Sequence, residues 1–351
     1  MIKFRHKGTK KVKNKELGIR FYHFFDKKSR QEHKKAQLLT PDSQLFAIFA
    51  TYNHRERSRT RKNAYPKNSK RNMEKRADYI QSIEIEALWK GGKHIVWQLQ
   101  PDVNILSGIN GVGKSTIINH SAHRLSMIDQ GEIIPEEVPQ GVIIKLMPED
   151  ATYIKFDVIR SFDRPLLHSD LLEKLSDSRV KTELDWQIYR LQKRFLDYQV
   201  NIGNRIIELL TSGDPEDQRQ AAEVSAPKKQ FQDMIDKLFA DTNKKIDRKS
   251  NEIQFIQDMG STTQVITPYQ LSSGEKQMLA ILLTVLVENR EPYALLMDEP
   301  EISLHIDWQQ QLIDLIRQLN PNAQIILSTH SPALIMDGWI SNVTEVEEIC
   351  N

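Results

Sequence analysis

The sequence contains almost no cysteine and has no long apolar run. Cys350 is the single cysteine among 351 residues, so an intramolecular disulfide and a zinc site built from cysteines are both excluded. No stretch approaches the roughly 20 consecutive apolar residues that a membrane-spanning helix requires. The basic N-terminus also lacks the apolar segment of a secretory signal. We therefore expect a cytoplasmic protein that makes no membrane contact.

Charge is distributed unevenly along the chain. Residues 1–78 hold 23 Lys and Arg residues against 7 Asp and Glu residues, whereas residues 79–351 hold 26 against 40. Such a basic segment indicates contact with nucleic acid or another polyanion. It is equally typical of a solvated, partly disordered extension that docks on an acidic neighbouring subunit. Residues 1–78 are predicted to form a basic N-terminal extension, and both interpretations stay open.

A glycine-rich loop lies between a predicted strand at residues 103–107 and a predicted helix at residues 116–125. This phosphate loop, residues 108–115, matches G-x-x-x-x-G-K-S/T at every fixed position. Loops of this kind turn backbone N–H groups toward phosphates, while the lysine supplies a cation and the serine a Mg²⁺ ligand. The predicted nucleotide-binding residues are Asn110, Gly111, Val112, Gly113, Lys114, Ser115 and Thr116. Lys114 is also predicted to act in catalysis, and Ser115 to bind Mg²⁺.

Two carboxylates, Asp298 and Glu299, follow a predicted buried strand at residues 293–297. Ligands bind at the carboxyl ends of the strands in an open α/β sheet. Asp298 is predicted to hold Mg²⁺, directly or through water, and Glu299 to orient and deprotonate an attacking water. An ordinary acidic turn is the alternative interpretation, and the phosphate loop upstream argues against it.

Two further segments supply candidate phosphate contacts. The signature turn, Ser272, Ser273 and Gly274, precedes a helix predicted over residues 275–288 and is suited to bind an anion. Ser272 and Glu275 also have the spacing of a capping box, which by itself would account for the helix start. His330 follows a strand predicted over residues 324–328. A lone histidine is more often structural, but the order of the motifs favours contact between His330 and a γ-phosphate.

These segments resemble the motifs of the ABC-class ATPases: a phosphate loop (G-I-N-G-V-G-K-S), a signature motif (L-S-S-G-E-K-Q), an acidic strand with D-loop (L-L-M-D-E-P-E-I-S-L-H) and a histidine switch (S-T-H-S-P). Within that class, residues 79–349 resemble the SMC-like ATPases of the OLD (overcoming lysogenization defect) type. They are also similar to the ATPase subunits of antiphage systems such as Septu, PARIS and retron-associated modules.

The resemblance implies an α/β fold of the P-loop NTPase type, with a mixed sheet flanked by helices, and a site for ATP and Mg²⁺. It implies catalytic roles for Lys114, Glu299 and His330. It further implies head-to-tail dimers, in which the signature turn of one copy completes the nucleotide site of the other. Family members have a glutamine switch, for which Gln140 is a candidate. Arg160 and Arg164 are equally suited to nucleotide contact and to a structural role.

The predicted organisation places the two halves of the ATPase core at residues 79–163 and 252–351, with a helical insertion at residues 164–251. Apolar residues recur in the insertion at helical spacing: Leu184, Ile188, Leu191, Phe195, Tyr198 and Ile202. The helix is predicted to break at residues 213–215, and a second helix is expected over residues 229–247. The apolar stripe suits packing on the core and a short coiled-coil arm equally well.

OLD nucleases carry a TOPRIM domain after the ATPase, whereas 21 residues follow His330 in this sequence. We therefore expect any nuclease or toxin activity to reside in a separate polypeptide. The favoured function is an OLD-like ATPase that acts as a sensor or scaffold and controls a separately encoded effector in antiphage defence. An SMC-like DNA repair or chromosome-maintenance ATPase is the alternative. A transport cassette is a third class, against which the D-E-P-E-I-S-L-H form argues.

Overall fold

The computed structural model describes residues 75–88, 92–129, 141–160, 179–336 and 338–350. Most of the predicted basic extension lies outside these residues, as do Gln140 and Arg164.

The described residues form eleven strands and six α-helices. The strands are β1 (Tyr79–Leu88), β2 (Lys93–Gln98), β3 (Val103–Ser107), β4 (Val142–Met147), β5 (Phe156–Arg160), β6 (Lys244–Ile246), β7 (Phe255–Asp258), β8 (Thr263–Ile266), β9 (Tyr293–Asp298), β10 (Ala323–Ser328) and β11 (Val343–Glu345). The helices are α1 (Lys114–Asp129), α2 (Glu183–Thr211), α3 (Pro215–Leu238), α4 (Ser273–Val287), α5 (Ile306–Leu319) and α6 (Pro332–Met336). Short 3₁₀ turns cover Ala240–Thr242, Pro268–Gln270, Ile340–Asn342 and Val346–Ile349.

Five parallel strands form the central sheet in the order β11-β3-β10-β9-β5. Every residue of β9 and β10 is buried, as expected for parallel strands that are covered on both faces by other elements. A separate antiparallel sheet has the order β2-β1-β4, in which β1 and β2 form a hairpin. The predicted α/β fold is confirmed; the parallel and the antiparallel strands lie in separate sheets rather than in one mixed sheet.

The faces of the central sheet contact different apolar clusters. Leu295 and Ile325 pack with the helices α2 to α5, whereas Leu296 and Ile326 pack with α1 and the antiparallel sheet. Side chains alternate between the faces along each strand. Asp298 therefore lies on the α1 face, two residues after Leu296.

The apolar stripe of α2 is buried as part of the cluster with α4 and α5, so this stripe packs on the core. Arg194 of α2 also donates to both carboxylate oxygens of Asp157 on β5, at 2.8 and 3.1 Å. These contacts fasten the insertion to the edge strand of the central sheet.

The second helix of the insertion differs from the predicted one. It begins at Pro215 and ends at Leu238 rather than covering residues 229–247. Asp214 caps the helix by accepting a hydrogen bond from the Glu216 N–H, and proline at the first helical position needs no hydrogen-bond partner for its nitrogen. Residues 244–266 instead form the antiparallel sheet β6-β7-β8, which the sequence did not predict because its strands have only three or four residues.

Among the helices that the structure describes, none combines the length and the apolar character that a membrane span would need.

Candidate functional site

The phosphate loop connects the end of β3 to the start of α1. Gly111 and Gly113 have φ angles of 82° and 111°, a region that residues with a Cβ atom rarely adopt. The glycines therefore allow the chain to turn sharply before α1 begins at Lys114. Ser115 and Thr116 follow in the first turn of that helix.

The Lys114 ammonium group lies folded into the phosphate loop. Its Nζ donates to the carbonyl oxygens of Gly108 and Ile109, at 2.9 and 3.1 Å, and the residue is only 4% exposed. Burial lowers the pKa of Lys114, although the negative charges of Glu299 and Asp298 oppose this shift. An anionic phosphate oxygen is a stronger acceptor than a carbonyl, so this ammonium is suited to exchange its carbonyl contacts for phosphate.

The two predicted catalytic and metal-binding carboxylates have different partners. Asp298 ends β9, and its Oδ1 accepts a hydrogen bond of 2.6 Å from the Ser328 hydroxyl at the end of β10. Glu299 has a φ angle of 48°, an unusual conformation for a residue other than glycine that often occurs at functional sites. Glu299 lies in a turn after β9 rather than in the strand. The alternation of side chains along β9 therefore does not set the direction of the Glu299 side chain.

The turn brings Glu299 to His330. His330 Nε2 lies 3.3 Å from Glu299 Oε1. Burial raises the pKa of Glu299, the charges of Asp298 and Glu301 raise it further, and His330 and Lys114 oppose the rise. A carboxylate with a raised pKa is a better general base near neutral pH. Among the predicted site residues, Glu299 and His330 are thus in contact. The charges of Asp298 and Glu299 also act on the Lys114 ammonium group.

Glu301 is a site residue that the sequence did not single out. Its Oε1 accepts hydrogen bonds from the Thr329 hydroxyl at 2.6 Å and from the His330 backbone N–H at 2.9 Å. The side chain is buried. In the sequence, only the run D-E-P-E pointed to Glu301 as a site residue. Its contact with the end of β10 depends on a turn, which strand periodicity does not predict.

The signature turn begins α4. Ser272 and Glu275 form the reciprocal capping box: the Ser272 Oγ accepts from the Glu275 N–H at 3.4 Å, and the Ser272 N–H donates to Glu275 Oε2 at 2.9 Å. Ser273 is exposed. Among the residues that the structure describes, no hydrogen bond joins the signature turn to the phosphate loop of the same chain.

Gly274 allows the signature turn to approach the acidic turn, residues 298–304, very closely. A Cβ atom at Gly274 would lie 2.4 Å from the Ser303 carbonyl oxygen, far inside van der Waals contact. Only glycine fits here without a backbone shift. The start of α4 and the acidic turn are consequently in direct backbone contact.

Two nearly buried ion pairs attach the start of α4 to the insertion. Lys244 Nζ lies 2.7 Å from Glu275 Oε1, and Lys276 Nζ lies 2.8 Å from Asp185 Oδ1. Burial disfavours the charged form of Glu275, but hydrogen bonds from Lys244 and Ser272 outweigh it and lower the pKa of Glu275. Loss of one partner would leave a charge buried and unpaired, which is strongly destabilising.

Arg160 lies at the acidic end of the sheet. The parallel register pairs Arg160 of β5 with Asp298 of β9, and Val158 packs in the apolar cluster on the α1 face. By the alternation along β5, the Arg160 side chain points to the same face as Asp298.

A phosphate loop between a strand and a helix, together with carboxylates and a histidine at the carboxyl ends of adjacent parallel strands, defines a P-loop ATPase of the ABC and SMC-like class. The chain belongs to the family described as AAA domain, putative AbiEii toxin, Type IV TA system, which matches residues 148–337.

Relatives with curated names share part of the chain. The Retron Vc95 probable ATPase of Vibrio cholerae serotype O1 biovar El Tor is 30% identical over 189 residues, which cover 50% of this chain and 35% of the relative. Septu protein PtuA of Bacillus thuringiensis is 41% identical over 49 residues, or 14% of this chain and 12% of the relative. The chain therefore aligns with about a third or less of each of these two proteins.

A solved SMC head bound to the C-winged helix domain of ScpA is also similar. It has a TM-score of 0.40 and 16% sequence identity, and the alignment covers 74% of this chain and 91% of the SMC head.

Proposed function

We propose that the chain binds ATP with Mg²⁺, hydrolyses it, and serves in antiphage defence as an ATPase whose nucleotide state controls a separately encoded effector. The observation that carries the catalytic part is the 3.3 Å contact between His330 Nε2 and Glu299 Oε1. This contact lies at the carboxyl ends of β9 and β10, where the charges of Asp298 and Glu299 act on Lys114. The similarity to the retron ATPase and to PtuA supports the defence part.

The residues present fit a magnesium nucleotide. Asp298, Glu299 and Glu301 all act electrostatically on Lys114, so carboxylates outnumber this cation and a divalent ion would offset their charge. Ser115 and Asp298 would hold the ion through oxygen atoms, which Mg²⁺ prefers. When bound, Mg²⁺ neutralises charge on the phosphates.

Each residue of the site has a distinct role in this proposal. The backbone N–H groups of the phosphate loop and Lys114 bind the phosphates. Glu299 accepts a proton from the attacking water, and its raised pKa suits that role. His330 holds the Glu299 carboxylate in position and contacts the γ-phosphate through its imidazole.

The signature turn would act on the nucleotide of a second copy in a head-to-tail dimer. Its support is the exposure of Ser273 at the first residue of α4. The N-terminus of a helix attracts anions through its dipole and its free N–H groups.

A mixing experiment tests this composite site. We expect Ser273→Arg and Lys114→Ala each to lack ATPase activity as pure proteins. In a mixed dimer, one site combines the intact phosphate loop of the Ser273→Arg copy with the intact signature turn of the Lys114→Ala copy. Random pairing makes half of the dimers mixed, so turnover should return to roughly a quarter of the parental value. The Ser261→Arg variant, at an exposed serine between β7 and β8, is the control and should be fully active. A mixture as inactive as its two components would contradict a site shared between copies.

The defence role is tested in cells that carry this gene with its neighbouring reading frames. Phage plating should be reduced by the parental chain and restored by Lys114→Ala, whereas Lys145→Ala, at an exposed position of β4, should still protect. A nuclease-like or toxin-like product of a neighbouring frame should copurify with the chain. Full protection by Lys114→Ala would contradict nucleotide control of defence.

The basic composition of residues 1–78 favours the second candidate function, DNA repair or chromosome maintenance. ATP turnover that duplex DNA stimulates, with affinity that falls steeply as salt rises, would support it if no effector copurified.

A further inference from the structure

Glu301 is a buried carboxylate to which the proposed chemistry gives no direct role. It is 8% exposed, and one of its oxygens, Oε1, accepts both the Thr329 hydroxyl and the His330 N–H. The other oxygen, Oε2, is buried and has no hydrogen-bond partner among the described residues. Burying a carboxylate oxygen without a partner costs free energy, and such a group in a native protein is often found where it has a function.

The two hydrogen bonds of Glu301 join two segments of the site. Glu301 belongs to the acidic turn after β9, which also contains Glu299, whereas Thr329 and His330 follow β10. The contact between Glu299 and the His330 imidazole depends on how these two segments lie relative to each other. Glu301 Oε1 acts on that relation at His330 itself, because it accepts a hydrogen bond from the His330 backbone N–H.

Gln309 of α5 makes a second bridge between the same segments. Its Nε2 donates to the Leu304 carbonyl oxygen at 2.9 Å, and its Oε1 accepts the Ser331 hydroxyl at 2.6 Å. This bridge is uncharged and lies beyond His330 in the chain. It indicates that a neutral side chain can hold the two segments together, so the charge of Glu301 is not needed for a purely structural connection.

The charge of Glu301 also has a cost. It repels the neighbouring carboxylates and, together with Asp298, raises the pKa of Glu299.

We propose that Glu301 is a positioning residue for ATP hydrolysis: it orients His330 toward Glu299 and thereby sets the rate of the chemical step. This inference rests on the proposed ATPase function. Replacing Glu301 should change kcat rather than the affinity for ATP, because Glu301 accepts hydrogen bonds from Thr329 and His330 after β10 and none from the phosphate loop.

The first test compares Glu301→Ala and Glu301→Gln with the parental chain and with Glu252→Gln, which removes an exposed carboxylate from the loop before β7. The decisive variant is Glu301→Ala, which removes both hydrogen bonds. We expect Glu301→Ala to lower kcat about tenfold, with the KM and Kd for ATP within about twofold of the parental values. Glu301→Gln should keep most of the parental kcat, because its amide oxygen can still accept both hydrogen bonds. Parental kcat in Glu301→Ala would overturn the proposal, as would a loss of ATP affinity that accounts for all of the lost activity.

Amide hydrogen exchange at His330 gives a readout that needs no turnover. The Glu301→Ala variant should exchange the His330 N–H at least about tenfold faster than the parental chain, whereas Glu252→Gln should not change it. If the parental chain itself lacks ATPase activity, the proposed function fails. If instead exchange at His330 is unchanged in Glu301→Ala, the positioning role fails, whatever the parental activity.

Discussion

Glu299→Gln is expected to slow ATP hydrolysis by about 10²- to 10⁴-fold while ATP binding is retained, because loss of a positioned general base has an effect of this size. Glutamine keeps the shape of the side chain and can still contact His330, which lies 3.3 Å from Glu299 Oε1. It cannot accept the proton of the attacking water. Single-turnover hydrolysis and equilibrium binding of ATP, measured on the same preparation, separate the two effects.

The control for this variant is Asp314→Asn, which removes an exposed carboxylate from α5 and should hydrolyse ATP at the parental rate. Parental activity in Glu299→Gln would remove Glu299 from the role of base. The parental pH profile provides a second check. Burial and the charge of Asp298 raise the pKa of Glu299. As the pH is lowered, activity should therefore begin to fall at a pH that is still above about 4.3, the usual pKa of glutamate.

Lys114→Ala is expected to weaken ATP binding by at least roughly 30-fold, which corresponds to about 2 kcal/mol, the lower range for truncating one partner of a buried charged contact. In the structure this ammonium is held by the carbonyl oxygens of Gly108 and Ile109 inside the phosphate loop. No other side chain of that loop carries a positive charge. Isothermal titration with ATP and Mg²⁺ measures the loss directly.

Lys145→Ala is the matched control, since it removes an exposed lysine from β4 and should bind ATP normally. Thermal unfolding without nucleotide shows whether Lys114→Ala also damages the fold. Equal affinity in Lys114→Ala and the parental chain would show that the phosphate loop is not the nucleotide site.

The sequence predicted the central part of the fold well because fixed motifs mark the ends of its elements. The phosphate loop lies between β3 and α1, and Asp298 ends a buried parallel strand, as their patterns indicated. The capping box of Ser272 and Glu275 likewise marked the start of α4, which begins at Ser273, two residues before the predicted start at residue 275. In each case the residues that define the element are neighbours in the sequence.

What the sequence did not predict depends on contacts between distant residues. Glu301 meets Thr329 and His330 across 28 and 29 positions, and no local pattern indicates that pairing. The boundaries of α3 were wrong because Pro215, taken as a helix breaker, starts the helix after Asp214. The sheet β6-β7-β8 was missed because its short strands show too few alternations to reveal a period.

The close approach of Gly274 to the Ser303 carbonyl means that the acidic turn has no slack on the side of α4. A movement of this turn when its ligand changes must push or pull the exposed start of that helix. A change in the ligand bound at the acidic turn would thus shift the surface beside Ser273, and a molecule bound to that surface would be affected directly, without a hinge or lid between the two.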